Sequence, residues 1–176
     1  VIMASSGNFK TTAYDGRYLL FSWEISSQSI ANNSTTIAWK LTGAGTASVG
    51  YYKAGNFKVV IDGKTVYSST TRINLYNGTV VKSGTCTLNH SSDGTRTFSA
   101  SAQAGIYTTA VNCTGSGTFT LNSIPRASTI NSVSGNKITD SFAVKYTQYL
   151  SSYTNNLKIA VSGYKPSQTI TGYQSG

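Results

Sequence analysis

Apolar and polar residues alternate with a period of two through much of the chain. From Leu19 to Ser26, Leu19, Phe21, Trp23 and Ile25 fall on one side while Ser22, Glu24 and Ser26 fall on the other. This is the pattern of a strand with one buried face. A turn-like Ala31-Asn32-Asn33-Ser34 follows, and Ile37, Trp39 and Leu41 then share a face within Thr35–Thr42. Two β-rich runs, Phe57–Ile61 and Lys64–Tyr67, flank Asp62-Gly63. That predicts a hairpin closed by a type I′ turn, in which both central residues take positive φ. Val80–Leu88, Thr95–Ala104 and Tyr107–Leu121 add three more alternating runs, punctuated by Asn77-Gly78, Asp93-Gly94 and Gly115-Ser116-Gly117.

About seven strands between residues 14 and 122, with turns about every ten residues, predict an antiparallel β-sandwich. No stretch has helical periodicity. The expected fold class is all-β: an Ig-like or jelly-roll-like sandwich, followed by part of a second. Pro125 in Ile124–Ser128 lacks a ladder donor and marks a boundary. The expected organisation is a first domain over residues 1–123, a linker over 124–130 and the start of a second β-rich domain over 131–176. Strands are expected at Ser141–Tyr146 and Asn156–Val161, with Tyr149–Asn155 between them. So short a second region buries little apolar surface alone, so the full polypeptide is expected to be longer.

Composition supports this picture. Charged residues make up 11% of the chain, against about a quarter in ordinary domains, and Pro occurs twice. Neither a coiled coil nor a disordered tail has this profile. No apolar run is long enough to cross a bilayer as a helix, so no membrane partner is expected. The first residues show neither the basic nor the apolar region of a secretory signal.

The catalytic inventory is thin. His90 is the sole histidine, and Asp15, Glu24, Asp62, Asp93 and Asp140 are the five carboxylates. Asp15, Asp62 and Asp93 each precede glycine, which is turn chemistry. Glu24 and Asp140 lie far apart in sequence, so a pair poised for acid–base work is hard to assemble. One His and two Cys make a poor metal set. The expectation is a non-enzyme with no cofactor and no metal. Cys86 and Cys113 fall on separate predicted strands and read as buried thiols, with a disulfide between neighbouring strands as the alternative. The Asn-x-Ser/Thr matches at Asn33, Asn77, Asn89 and Asn112 are expected by chance in so Ser/Thr-rich a chain.

Binding chemistry is better represented. Trp23 and Trp39 share faces with core residues and read as packing. Tyr51 and Tyr52 are adjacent in Val49–Gly55, so on a regular strand they cannot both face inward. One is expected to offer its ring to solvent, beside Lys53, where it can stack on a sugar. Tyr76, next to Asn77-Gly78, and Tyr107, two residues after Gly105, are further loop-end candidates. The net charge is +9, which would draw a polyanion by long-range attraction. Yet the cations are scattered singly and no nucleic-acid-binding motif is present, so no nucleic-acid partner is expected.

The stretches Asp15–Trp23, Ser27–Thr35, Tyr52–Gly63, Leu75–Thr79, Phe98–Ala102, Ala104–Tyr107 and Gly115–Phe119 run in order through the first domain. Together they resemble minor structural proteins of phages with long non-contractile tails that infect Gram-positive bacteria such as streptococci. The resemblance implies a virion protein of the tail tip or baseplate, the N-terminal part of a longer receptor-binding or adsorption fibre, in which this segment either docks the fibre to the tail while later modules meet the host or meets the host itself. It implies other tail and baseplate proteins as partners, with host cell-wall polysaccharide or teichoic acid as the receptor. Tail fibres are commonly trimeric, so it also points to a homotrimer, although no threefold seam is encoded. It carries no catalytic motif. Two other readings are a carbohydrate-binding module of a secreted bacterial hydrolase or adhesin, and a wall-degrading tail enzyme whose catalytic domain lies elsewhere.

Overall fold

Thirteen strands and no helix are found among the described residues, which are 4–45, 52–126, 129–134, 143–147, 155–161 and 168–174 of a computed structural model. The chain divides into two units, Val1–Ile124 and Pro125–Gly176. The first contains β1 (Ser6–Lys10), β2 (Arg17–Ser29), β3 (Ser34–Gly45), β4 (Tyr52–Ile61), β5 (Lys64–Ser69), β6 (Ile73–Leu75), β7 (Val80–Asn89), β8 (Thr97–Ile106) and β9 (Cys113–Thr120).

Two antiparallel sheets form. One has the order β1-β2-β3-β7; the other has the order β5-β4-β8-β9, with β6 also paired to β4. The chain crosses between sheets from β3 to β4, from β6 to β7 and from β7 to β8. That Greek-key path, with β3 beside β7 and β4 beside β8, is immunoglobulin-like rather than a jelly roll. The inner faces carry the residues that alternation selected. Leu19, Phe21, Trp23, Ile37, Trp39 and Leu41 of the first sheet meet Phe57, Val59, Ile61, Phe98 and the alanines of β8. Trp23 lies edge-on to Phe98 at 5.1 Å and to Phe119 at 5.3 Å, while Phe9 stacks on Phe21 at 5.0 Å. Burying each such ring contributes about 1.5–3 kcal/mol.

Three elements differ from expectation. β1 is an additional edge strand, held to the opposite sheet by Ala4 N–H donating to Thr120 O and Thr12 N–H donating to Thr114 O. β6 is a short additional strand. The strand expected at Tyr107–Leu121 begins only at Cys113, because the chain loops over residues 107–112 first. The Asp62-Gly63 turn has φ of 53° and 77°, as the type I′ hairpin requires.

Within the second unit, β10 (Thr129–Ser134) pairs with β11 (Ala143–Thr147), and β12 (Asn155–Val161) pairs with β13 (Gln168–Gln174). β10 begins inside the expected linker. Asp140, Ser141, Phe142 and Tyr149 lie outside the described residues.

Candidate functional site

The strand directions separate the first unit into two poles. Ala4 bridges Leu121, and Ile124 N–H donates to Gly94 O, so chain entry and exit share one pole. The opposite pole is built from the ends of β1, β3 and β8, the starts of β2, β4 and β9, and the loops 11–16, 76–79 and 107–112. Most of the tyrosine candidates gather there.

The first part of this pole is a two-residue turn. Asp15 and Gly16 both have positive φ, 50° and 70°, and Tyr14 and Arg17 exchange backbone hydrogen bonds of 2.9 and 3.0 Å. The turn fixes Tyr14 opposite Arg17. The Arg17 Nη1 donates to Asp15 Oδ2 at 2.7 Å and to Asp15 O at 3.0 Å. Its guanidinium lies 5.3 Å from the centre of the Tyr107 ring and 5.7 Å from that of Tyr52, within cation–π range.

Tyr107 forms the second part. Its φ is 61°, in the left-handed region that a bulky side chain rarely occupies. Several contacts impose it. Tyr107 N–H donates to Lys53 O at 2.8 Å. Asn112 acts as a side-chain strand partner: its Oδ1 accepts from Ile106 N–H at 2.8 Å and its Nδ2 donates to Ile106 O at 2.9 Å. Asn56, itself at φ 51° in a bulge of β4, donates to Thr109 O. The Tyr107 ring meets Tyr14 at 6.4 Å and Tyr52 at 6.5 Å, both at 62°.

Tyr52 does not offer its ring to solvent. It is 3% exposed, with its hydroxyl 3.3 Å from Tyr18 O and 3.4 Å from Ala44 O. The bulge at Gly55–Asn56 shifts the parity of β4, so Tyr52 and Ala54 face inward together with Phe57, Val59 and Ile61. Burial pushes the Tyr52 phenol up to about 12, against a smaller opposing effect of the Arg17 charge. Tyr52 is therefore the buried base of the cluster and no ligand platform. Tyr51 lies outside the described residues. Lys53 is exposed, and its carbonyl anchors Tyr107. Tyr76, 54% exposed, opens a type II turn in which Thr79 N–H donates to Tyr76 O and Gly78 has φ 87°. Gly43 lies beneath it: a Cβ there would be 3.1 Å from both Tyr76 O and the Tyr52 hydroxyl.

Tyr14 and Arg17 were not among the expected site residues. The signal was Asp15-Gly16: a two-residue hairpin turn places its flanking residues side by side.

His90, Asp93 and Asp62 have structural partners. His90 is 8% exposed, with Nδ1 2.7 Å from Gly94 O and Nε2 2.7 Å from Thr35 Oγ1. Asp93 accepts from the backbone and hydroxyl of Thr95, which hold its carboxyl below the usual range. Asp62, in the β4–β5 turn, pairs with Arg96, which directly precedes β8. Among the described residues no three His, Cys, Asp or Glu side chains converge. Cys86 and Cys113 are free thiols in different sheets, and burial raises both.

The model of a family described as siphovirus proteins of unknown function (DUF859) matches residues 7–172. No curated protein and no solved structure matches the chain.

Proposed function

The chain belongs to this family of siphovirus proteins, and from that premise we propose that it is a non-enzymatic virion protein of the tail tip or baseplate, part of a fibre that attaches the phage to its host. In this reading its partners are other tail proteins and host wall polysaccharide or teichoic acid, and its assembly is the homotrimer common among tail fibres. The observation that carries it is the polarity of the sandwich. Within the first unit, residues 4 and 124 lie at one pole and the loops 11–16, 76–79 and 107–112 at the other, an arrangement that supports a recognition role for those loops. Immunoglobulin-like domains that recognise partners do so with loops at one end of the sandwich. The exposed lysines Lys10, Lys40, Lys53, Lys58, Lys64 and Lys82 spread positive charge over the faces. Such a field would speed encounter with a polyanionic wall without fixing a binding site.

Immunogold electron microscopy of purified virions tests the proposal. Antibody raised to the full chain is expected to decorate the tail tip. Label confined to the culture supernatant would point instead to a module of a secreted hydrolase or adhesin, and label on the capsid would also refute the tail placement.

A further inference from the structure

Tyr14 and Tyr107 are 48% and 44% exposed, yet both are fixed at the backbone. Tyr14 is held by the Asp15-Gly16 turn, and Tyr107 by Lys53 O and by the loop that Asn112 and Asn56 clamp. Arg17, with its side chain 15% exposed and paired to Asp15, lies against the Tyr107 ring and keeps it in place. The left-handed backbone at residue 107 would suit glycine or asparagine better than tyrosine. Such strain persists where surrounding structure over-determines it, and it clusters at sites with a task. What tyrosine brings there is a ring. With 62° between planes and 6.4 Å between centres, the two rings meet edge to face, and each leaves nearly half of its surface to solvent. Their apolar surfaces suit the C–H face of a sugar, and each phenol hydroxyl can both donate and accept a hydrogen bond.

We propose that Tyr14 and Tyr107 form a stacking platform for a pyranose ring of a glycan, with Arg17 as the positioning residue beneath Tyr107. The inference rests on the host-attachment reading and adds to it the residues and the ligand class. The test applies the full chain, and its Tyr107→Asn and Tyr14→Ala variants, to an array of immobilised hexose, N-acetylhexosamine and deoxyhexose pyranosides. The expected result is binding of at least one pyranoside by the parent, falling at least tenfold in both variants. Asparagine accepts the left-handed backbone, and Tyr14 is half-exposed, so unchanged circular dichroism should show both variants folded. No bound pyranoside, or binding retained in both variants, overturns the proposal. Gold at the tail tip with an empty array sinks this inference alone; a bound pyranoside with no gold on the tail sinks the tail placement alone.

Discussion

Gly7→Ala probes a tightly packed row of the sandwich. Gly7 pairs with Trp23, Trp23 with Trp39 and Trp39 with Gly84, so two indoles flanked by glycines span the four-stranded sheet. A Cβ on residue 7 would lie 2.8 Å from Trp23 Nε1 and 2.9 Å from Phe119 Cε1. The Trp23 ring has little room to retreat. Trp23 is 3% exposed and wedged against Phe98 and Phe119, which themselves touch at 5.5 Å. Overpacking of this kind costs about 1–3 kcal/mol. Alanine returns about 0.5–1 kcal/mol in a strand, because it loses less backbone freedom than glycine. The expected net destabilisation is about 1–2 kcal/mol. Trp23→Phe removes the indole nitrogen that the new methyl would strike, a donor that is itself buried without an acceptor. In that background Gly7→Ala should cost less, giving a coupling of about 1 kcal/mol. Urea unfolding of the parent, both single variants and the double variant measures the cycle, with an unchanged m-value showing that stability alone has moved. Both tryptophans belong to the first unit, so their fluorescence reports on it. Equal cost of Gly7→Ala in both backgrounds, or no cost in the parent, would refute the packing argument.

Other outcomes follow from the buried polar groups. Because Tyr52 titrates near 12 when folded and near 10 in an unfolded chain, the unfolded state loses its proton first. The contribution of Tyr52 is complete below pH 10 and fades as pH rises towards 12, by on the order of 2 kcal/mol. Urea midpoints measured across that range should fall more steeply for the parent than for Tyr52→Phe. Asp62→Asn loses the ion pair with Arg96 but keeps a residue tolerant of φ 53°, so it should cost less than about 1 kcal/mol. Asp62→Val places a β-branched side chain in that backbone and should cost more, as paired melts would register. Cys113 is buried and Cys86 half-buried, and burial raises both thiols, so a disulfide-exchange reagent at neutral pH should label Cys113 slowest in the folded chain, Cys86 faster, and both fast in denaturant.

Alternation was enough to place β2 and β3, because each shows one face with several large apolar residues, whereas the Asp62-Gly63 pair between two β-rich runs placed the β4–β5 hairpin. Where the inward positions are small, the pattern fades. β1 turns Gly7 and Phe9 inward, and the Cβ positions of Gly115 and Gly117 on β9 abut the backbone of Lys10 and the rings of Phe9 and Phe119. Those glycines carry no apolar signal, yet they let β1 cross close to the opposite sheet. The parity shift at Asn56 hid the first half of β4 and made Tyr52 look like a half-exposed candidate. No residue pattern announces that shift, since the left-handed Asn56 is set by the bulge and by its bond to the 107–112 loop. The site was legible in part for a similar reason. Tyr76 and Tyr107 stand beside turn residues, whereas the partnership of Tyr14, Arg17 and Tyr107 joins loops whose neighbours only the tertiary fold determines.

The two poles use their polar groups differently, and that difference can be measured. At the chain-end pole, His90 joins Gly94 to Thr35, and Gln28 Nε2 donates to both Thr35 Oγ1 and Asn122 O. This network holds the segment through which the chain leaves the sandwich. His90→Ala leaves Thr35 and Gly94 facing a gap and should cost about 2–3 kcal/mol, several times the cost of an exposed substitution. At the other pole, Tyr107→Asn exchanges ring contacts for a relaxed backbone, so its cost should be small. β8 separates the two sites, and its ten residues extend roughly 30 Å at the usual rise. Over that distance the two effects should add within about 0.5 kcal/mol in the double variant. Additive stability, with glycan binding lost only where Tyr107 is changed, is expected if a rigid sandwich carries an independent recognition end. A large coupling between His90 and Tyr107 would mean instead that strain at the loops is transmitted through β8 to the point where the chain exits.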